Sequence, residues 1–123
     1  GYCHRIICAQ DYSAVTAACM MVKKSAFDAV NGLSEDLAVA FNDIDLCMKV
    51  RKYGVKIVFT PYAELYHYES KSRGLEDTPE KVARFNREIA TFEKKWPEIL
   101  KNGDPYYNSN LTLKSQDFSL KRI

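Results

Sequence analysis

The chain is 123 residues long, 46% hydrophobic and 28% charged, which fits one small folded domain or part of one and argues against a disordered segment. Eighteen Lys and Arg against sixteen Asp and Glu leave a net charge of +2, without the basic surplus of a nucleic-acid-binding domain or a polybasic membrane anchor. No run of about 18 apolar residues occurs, so nothing reads as a transmembrane helix.

No basic segment leads into an apolar run at the start, so no signal peptide is visible. The opening Gly1-Tyr2-Cys3 reads as the start of a piece excised from a longer chain. The four cysteines, Cys3, Cys8, Cys19 and Cys47, form no C-x-x-C pair. Cys3-His4 followed by Cys8 lacks the second ligand pair of a structural zinc site. Cys19 and Cys47 stand in apolar surroundings and are expected to be buried thiols. The expectation is a reduced, cytoplasmic protein.

Residues 1–12 show no clear period. Ser13 to Val22, with Val15, Thr16, Ala17, Ala18, Cys19, Met20 and Met21, reads as a buried strand. Lys23-Lys24 ends it. Ser25 then reads as an N-cap with Asp28 three residues on, opening a short helix to Val30 that Asn31-Gly32 stops. Leu33 to Phe41 is expected to be irregular. A second helix starts near Asn42 or Asp43, with Ile44, Leu46, Cys47, Val50 and Tyr53 on its apolar face and Gly54 as its C-terminal stop. Lys49, Arg51 and Lys52 suit the dipole of its last turns.

Val55 to Phe59 reads as a short strand broken by Pro61, and Ala63 to Tyr68 extends again. Glu69 to Thr78 is a polar loop. Thr78-Pro79-Glu80 is a strong helix start, and Val82, Phe85, Ile89, Phe92 and Trp96 recur at spacings of 3 and 4, one amphipathic stripe whose plainest use is core packing. Pro97 ends or kinks that helix. From Asn102 the chain is turn-rich and expected on the surface. The element order is α/β or α+β, without a phosphate-binding Gly-rich loop.

Two places concentrate polar groups. Asn42-Asp43-Ile44-Asp45 opens a helix, where backbone amides and the dipole favour an ionised carboxylate that could act as a general base; spacing alone favours a plain N-cap at Asp43. Asp43 and Asp45 spell D-x-D, but on a helix positions i and i+2 point about 200° apart, so they cannot share one ion. His67, within Tyr66-His67-Tyr68-Glu69-Ser70, ends an extended segment, where an imidazole could hold a metal or contact a phosphate, or serve only structure.

Taken in order, these segments resemble the family 2 glycosyltransferases of the GT-A fold, especially rhamnosyltransferase-like members. The carriers are residues 16–27, Asn31-Gly32-Leu33, Phe41 to Cys47, Arg51 to Ile57, Thr60 to Ser70 and Asp104-Pro105-Tyr106-Tyr107-Asn108. The resemblance implies an inverting transferase. Asp43 would be the general base that deprotonates an acceptor hydroxyl attacking a nucleotide-activated sugar. Asn42 stands where the family has Glu, and Asn31-Gly32 where it has Gly-Gly. Asn42, Asp45, Thr16, Ala17 and Ala18 would bind substrate, and His67 would approach a metal or the diphosphate.

The implied fold class is α/β, the C-terminal, acceptor-side half of a Rossmann-like GT-A domain, with few strands and packed helices. Residues 13–101 would form its core and 102–123 a surface tail. The implied cofactor is Mg²⁺ or Mn²⁺, and the partners are a uridine- or thymidine-diphosphate sugar and a glycan acceptor. The location would be the cytoplasm, at the inner face of the membrane if membrane-associated. The strands that hold the nucleotide are not in the chain, so the fragment is expected to be inactive and to self-associate through the exposed Ser13 to Val22 edge. The loop from Glu69 to Thr78 would be a lid. Rival readings are a non-catalytic glycan- or protein-binding domain using Tyr62, Tyr66, Tyr68, Tyr106 and Tyr107, and a hydrolase using Asp43 and Asp45 as a carboxylate pair.

Overall fold

A computed structural model of the chain describes residues 2–68, 78–115 and 117–122. A 3-10 helix (Tyr2–Ile7) leads into β1 (Gln10–Tyr12), and a second 3-10 turn spans Ala17–Cys19. Then come α1 (Lys24–Ala29), α2 (Asn42–Lys52), β2 (Ile57–Phe59), α3 (Pro79–Lys95) and α4 (Pro97–Asn102).

β1 and β2 pair antiparallel, with Gln10 opposite Phe59, Asp11 opposite Val58 and Tyr12 opposite Ile57. The edge-to-face pair Tyr12–Phe59, with centroids 6.0 Å apart, and the Lys56–Asp11 ion pair at 2.8 Å reinforce this short ribbon. The described residues therefore join helices to a two-stranded antiparallel sheet. Residues 69–77, most of the expected lid, lie outside them.

The expected strand from Ser13 to Val22 does not form. Thr16 instead has its hydroxyl accepting from the Ala18 amide at 3.3 Å, and residues 17–19 wind into an exposed 3-10 turn. Small polar side chains that offer the backbone a local partner compete with a sheet ladder. Met21 is 99% exposed, and Cys19 is exposed rather than buried. Cys47 is buried as expected.

α1 forms close to its expected place, but its N-cap is Lys23 with no side-chain hydrogen bond, so the Ser25 capping box is absent. Its stop is as read: Asn31 (φ 58°) and Gly32 (φ 61°) are both left-handed, and the Gly32 amide returns to the Phe27 carbonyl at 2.9 Å. α2 ends in a Schellman pattern, with the Gly54 amide bonded to the Arg51 carbonyl at 2.9 Å and Val55 to Val50 at 3.1 Å. In α3 the Thr78 hydroxyl accepts from the Lys81 amide and Pro79 occupies the first turn. The small core is Ala26, Leu37, Leu46, Cys47, Met48, Val50 and Phe92, so α2 is its centre. Of the α3 stripe Phe92 is buried, while Val82 and Phe85 are 44% and 40% exposed, and Tyr53 stays outside at 58%.

Candidate functional site

α2 presents different chemistry on its two sides. One side carries Asp43 and, a turn later, Cys47; Cys47 meets the segment before the 3-10 turn and Asp43 the first residue of the turn. The Ala17 amide donates to Asp43 Oδ2 at 3.0 Å, and the Cys47 thiol donates to the Val15 carbonyl at 3.7 Å. Burial pushes the Cys47 thiol up, outweighing the lowering bond to Val15. Asp43 Oδ1 accepts the Ile44 amide at 2.9 Å. The carboxylate is only part-buried and sits at the positive end of α2.

Asp43 is not the N-cap. Phe41 holds that position, and its side chain makes no cap bond. Phe41 is left-handed (φ 62°, ψ 3°), an outlier for a bulky side chain, and its ring packs on Phe85 and Phe92 at centroid distances of 5.6 and 5.4 Å. Its carbonyl accepts the Asp45 amide at 2.8 Å and so starts the helix.

The other side of α2 carries Asp45, which has no exposed surface. Its Oδ1 accepts the Trp96 indole N–H at 2.8 Å and faces Lys95 Nζ at 3.0 Å. Its Oδ2 accepts the Ser34 hydroxyl at 2.5 Å and faces Lys49 Nζ at 3.4 Å. Burial raises its pKa, but hydrogen bonds from Ser34, Lys95 and Trp96 and the charge of Lys95 outweigh that and leave the group below its ordinary range. Both oxygens of Asp45, expected to meet substrate, have partners inside the protein, which gives the group an anchoring role. Asp43 and Asp45 thus bond to different parts of the chain, Asp43 to Ala17 and Asp45 to Ser34 and Trp96.

Thr16, Ala17 and Ala18 are exposed and come to Asp43 through the Ala17 amide; Asn42 is half-buried beside it. His67 is exposed in the stretch after β2, next to the stacked rings of Tyr66 and Tyr68, 6.4 Å apart. Among the described residues no group of three or more His, Cys, Asp or Glu side chains could hold a metal ion.

Sequence reasoning missed Glu88. It is buried on α3, with Oε1 accepting the Val39 amide at 3.2 Å and Oε2 the Ala40 amide at 2.8 Å. The signal was its place three residues after Phe85 and four before Phe92, on the face that packs inward. Also missed was a cavity of about 710 Å³ at the far end of α2, lined by Arg51, Lys52, Val55, Trp96, Ile99 and Tyr106 among others.

An uncharacterized protein of Sinorhizobium fredii is 56% identical over 121 residues, which are 98% of this chain and 13% of that protein. The O-antigen biosynthesis protein RfbC of Myxococcus xanthus is 32% identical over 113 residues, 92% of this chain and 8% of that protein. An N-acetylglucosaminyl-diphospho-decaprenol L-rhamnosyltransferase of Mycobacterium tuberculosis is 33% identical over 60 residues, 49% of this chain and 20% of that protein. The chain thus spans about an eighth of the first of these relatives and less than a tenth of the second. No family model and no solved structure matches it significantly. The distant relatives carry the names of rhamnosyl transfer and O-antigen biosynthesis, which suggests glycosyl transfer at the level of the family. No helix among the described residues is long and apolar enough to cross a membrane.

Proposed function

We propose that the chain is the acceptor-side part of an inverting, family 2 glycosyltransferase domain of the GT-A type, working within a longer protein, with Asp43 as its general base. The observation that carries this reading is the bond from the Ala17 amide to Asp43 Oδ2, 3.0 Å long and 26 residues apart in sequence. It joins two of the segments on which the family resemblance rests, residues 16–27 and 41–47. The names of two relatives support the same reading.

The chemistry follows from the carboxylate's surroundings. An acceptor hydroxyl attacking an anomeric carbon must lose its proton as the bond forms, and a base in reach takes it. One oxygen of Asp43 accepts the Ala17 amide and the other the Ile44 amide, while part of the carboxylate stays open to solvent. The exposed stretch Thr16–Ala18 would line the acceptor or donor sugar beside it, with Asn42 at the rim.

A nucleotide-diphosphate sugar would be the donor, and a glycan or other hydroxyl compound the acceptor. Mg²⁺ or Mn²⁺ would neutralise the departing diphosphate, and His67 would contact that metal or the diphosphate itself. Among the described residues no group of three or more His, Cys, Asp or Glu side chains could hold a metal ion, so in this reading further ligands come from elsewhere in the protein.

The test is the full-length protein carrying Asp43→Asn. Transfer should fall about 10²–10⁴-fold with donor binding nearly unchanged. Asp45→Asn should reduce transfer less once the loss of folded protein is corrected for. A kinetic comparison in which Asp45→Asn is the more damaging per folded molecule would move the base role away from Asp43.

A further inference from the structure

Three consecutive residues before α2 are held by one face of α3. Glu88 takes the amides of Val39 and Ala40, one with each carboxylate oxygen, at 3.2 and 2.8 Å. Phe41, the next residue, lies between Phe85 and Phe92, which flank Glu88 on the same helix. Glu88 itself is only 5% exposed. A charged acceptor buried this far is costly unless its oxygens are well used, and here the donors are both from one loop.

The grip falls where the chain needs it. Phe41 adopts a left-handed backbone that a bulky side chain avoids, and such a conformation persists only where its surroundings over-determine it. Phe41 also supplies the carbonyl that opens α2, two residues before Asp43. The direction in which Asp43 leaves the first turn, and with it the 3.0 Å bond to Ala17, therefore depends on how residues 39–41 are set.

We propose that Glu88 is a positioning residue for Asp43, acting through the backbone of residues 39–41 and making no contact with substrate. This rests on the reading of Asp43 as the base. A side chain that misplaces a reacting group by about 1 Å can cost about 10²-fold in rate without touching the chemistry. Glu88→Gln keeps the shape and one acceptor oxygen; Glu88→Met keeps the volume and removes both. Their effects should rise in that order. Ile89→Val, a neighbour on α3 outside the loop bonds, serves as the control for a merely loosened helix.

The first measurement uses the isotope-labelled chain. Amide exchange at Val39 and Ala40 should quicken about ten- to a hundredfold in the Glu88 variants, and the Ala17 amide resonance should move toward its position in Asp43→Ala. The second uses the full-length protein: kcat should fall about 10²-fold in Glu88→Gln with KM for the acceptor little changed, and should barely move in Ile89→Val. Should Glu88→Met fail to fold, Glu88→Gln carries both measurements. An unshifted Ala17 amide in a folded Glu88→Gln chain, or a kcat loss no larger than that of Ile89→Val, overturns the positioning role alone. An active Asp43→Asn enzyme overturns the base reading, and the positioning role with it, whatever the amides show.

Discussion

The indole N–H of Trp96 donates to Oδ1 of Asp45 at 2.8 Å, tying the junction of α3 and α4 to the first turn of α2. Lys95 and Lys49 flank the same carboxylate, and Ser34 closes the set from the loop before α2. Four side chains from three segments meet on one buried charge. Asp45→Asn leaves two part-buried ammonium groups without their counter-charge, which should destabilise the fold by roughly 2–4 kcal/mol. Trp96→Phe removes one donor to a charged acceptor and should cost about 1.5–3 kcal/mol. Urea unfolding of the two variants beside the parent checks both; an Asp45→Asn chain as stable as the parent would contradict the anchoring role.

The same carboxylate predicts an acid dependence. Its folded pKa lies below the ordinary carboxylate value of about 4, because the bonds from Ser34, Lys95 and Trp96 together outweigh burial. A depressed folded value means that the unfolded chain binds the proton first as pH falls. The stabilisation is therefore complete above about pH 5 and is lost as pH drops through about 4 toward the folded value. Unfolding free energy followed across this acid range should show this loss in the parent and a smaller one in Asp45→Asn.

How much of this was legible in the sequence differs by element. Thr78-Pro79 fixed the start of α3 because a hydroxyl cap and a proline act locally, and Gly54 fixed the end of α2 for the same reason. The run from Val15 to Val22 misled, since β-branched and small residues suit a strand only where a partner strand and burial exist. Here the Thr16 hydroxyl and the Asp43 carboxylate take the amides of Ala18 and Ala17 instead. The true β1 is three residues long, and its partner begins 45 positions after Tyr12, at Ile57, so no local pattern announces it. Asp43 was legible as a helix-start carboxylate. Its bond to Ala17, and the opposite fate of Asp45, required the tertiary arrangement.

Gly32 offers a local test of the turn between α1 and the loop. Its φ of +61° is left-handed, and a Cβ there would lie 2.8 Å from the Phe27 ring. Gly32→Ala should therefore lose about 1–2 kcal/mol from the backbone alone, and more if the ring has to shift. The neighbouring Asn31→Gly, at φ 58°, should be nearly neutral, because glycine reaches that conformation without strain. Thermal unfolding of the pair separates the two cases; equal losses would show that the turn matters less than the side chains.

His67→Ala in the full-length protein should weaken donor binding measured with Mn²⁺ present, since it removes an imidazole proposed to face the metal or the diphosphate. Calorimetric titration with the nucleotide-sugar, with and without Mn²⁺, is the measurement. Unchanged affinity in both conditions would leave His67 with a structural role only.

The last prediction concerns the 123-residue chain by itself: it should neither transfer sugar nor bind a nucleotide-sugar measurably, and it should self-associate. GT-A-like folds hold the nucleotide across the carboxyl ends of their first parallel strands, and the described residues supply only a two-stranded antiparallel ribbon. Without a held donor, a base loses the proximity that contributes roughly 7–11 kcal/mol of barrier lowering. The surface argues for association. The core is small and centred on one helix, while Met21, Tyr62, Leu65, Tyr66 and Tyr68 are 99%, 89%, 71%, 91% and 67% exposed. Apolar groups gathered in one exposed stretch after β2 favour covering by another surface. The edge expected at Ser13 to Val22 does not contribute, since no strand forms there; the outer sides of β1 and β2 do, because a two-stranded ribbon is marginal alone. Light scattering should give a mass above the 14.1 kDa of one chain, falling toward it when Leu65 and Tyr66 are changed to Ser and Lys. Titration with uridine- and thymidine-diphosphate sugars plus Mn²⁺ should show no micromolar binding. A clean monomer that binds either donor at micromolar concentration would overturn the reading of this chain as an acceptor-side part.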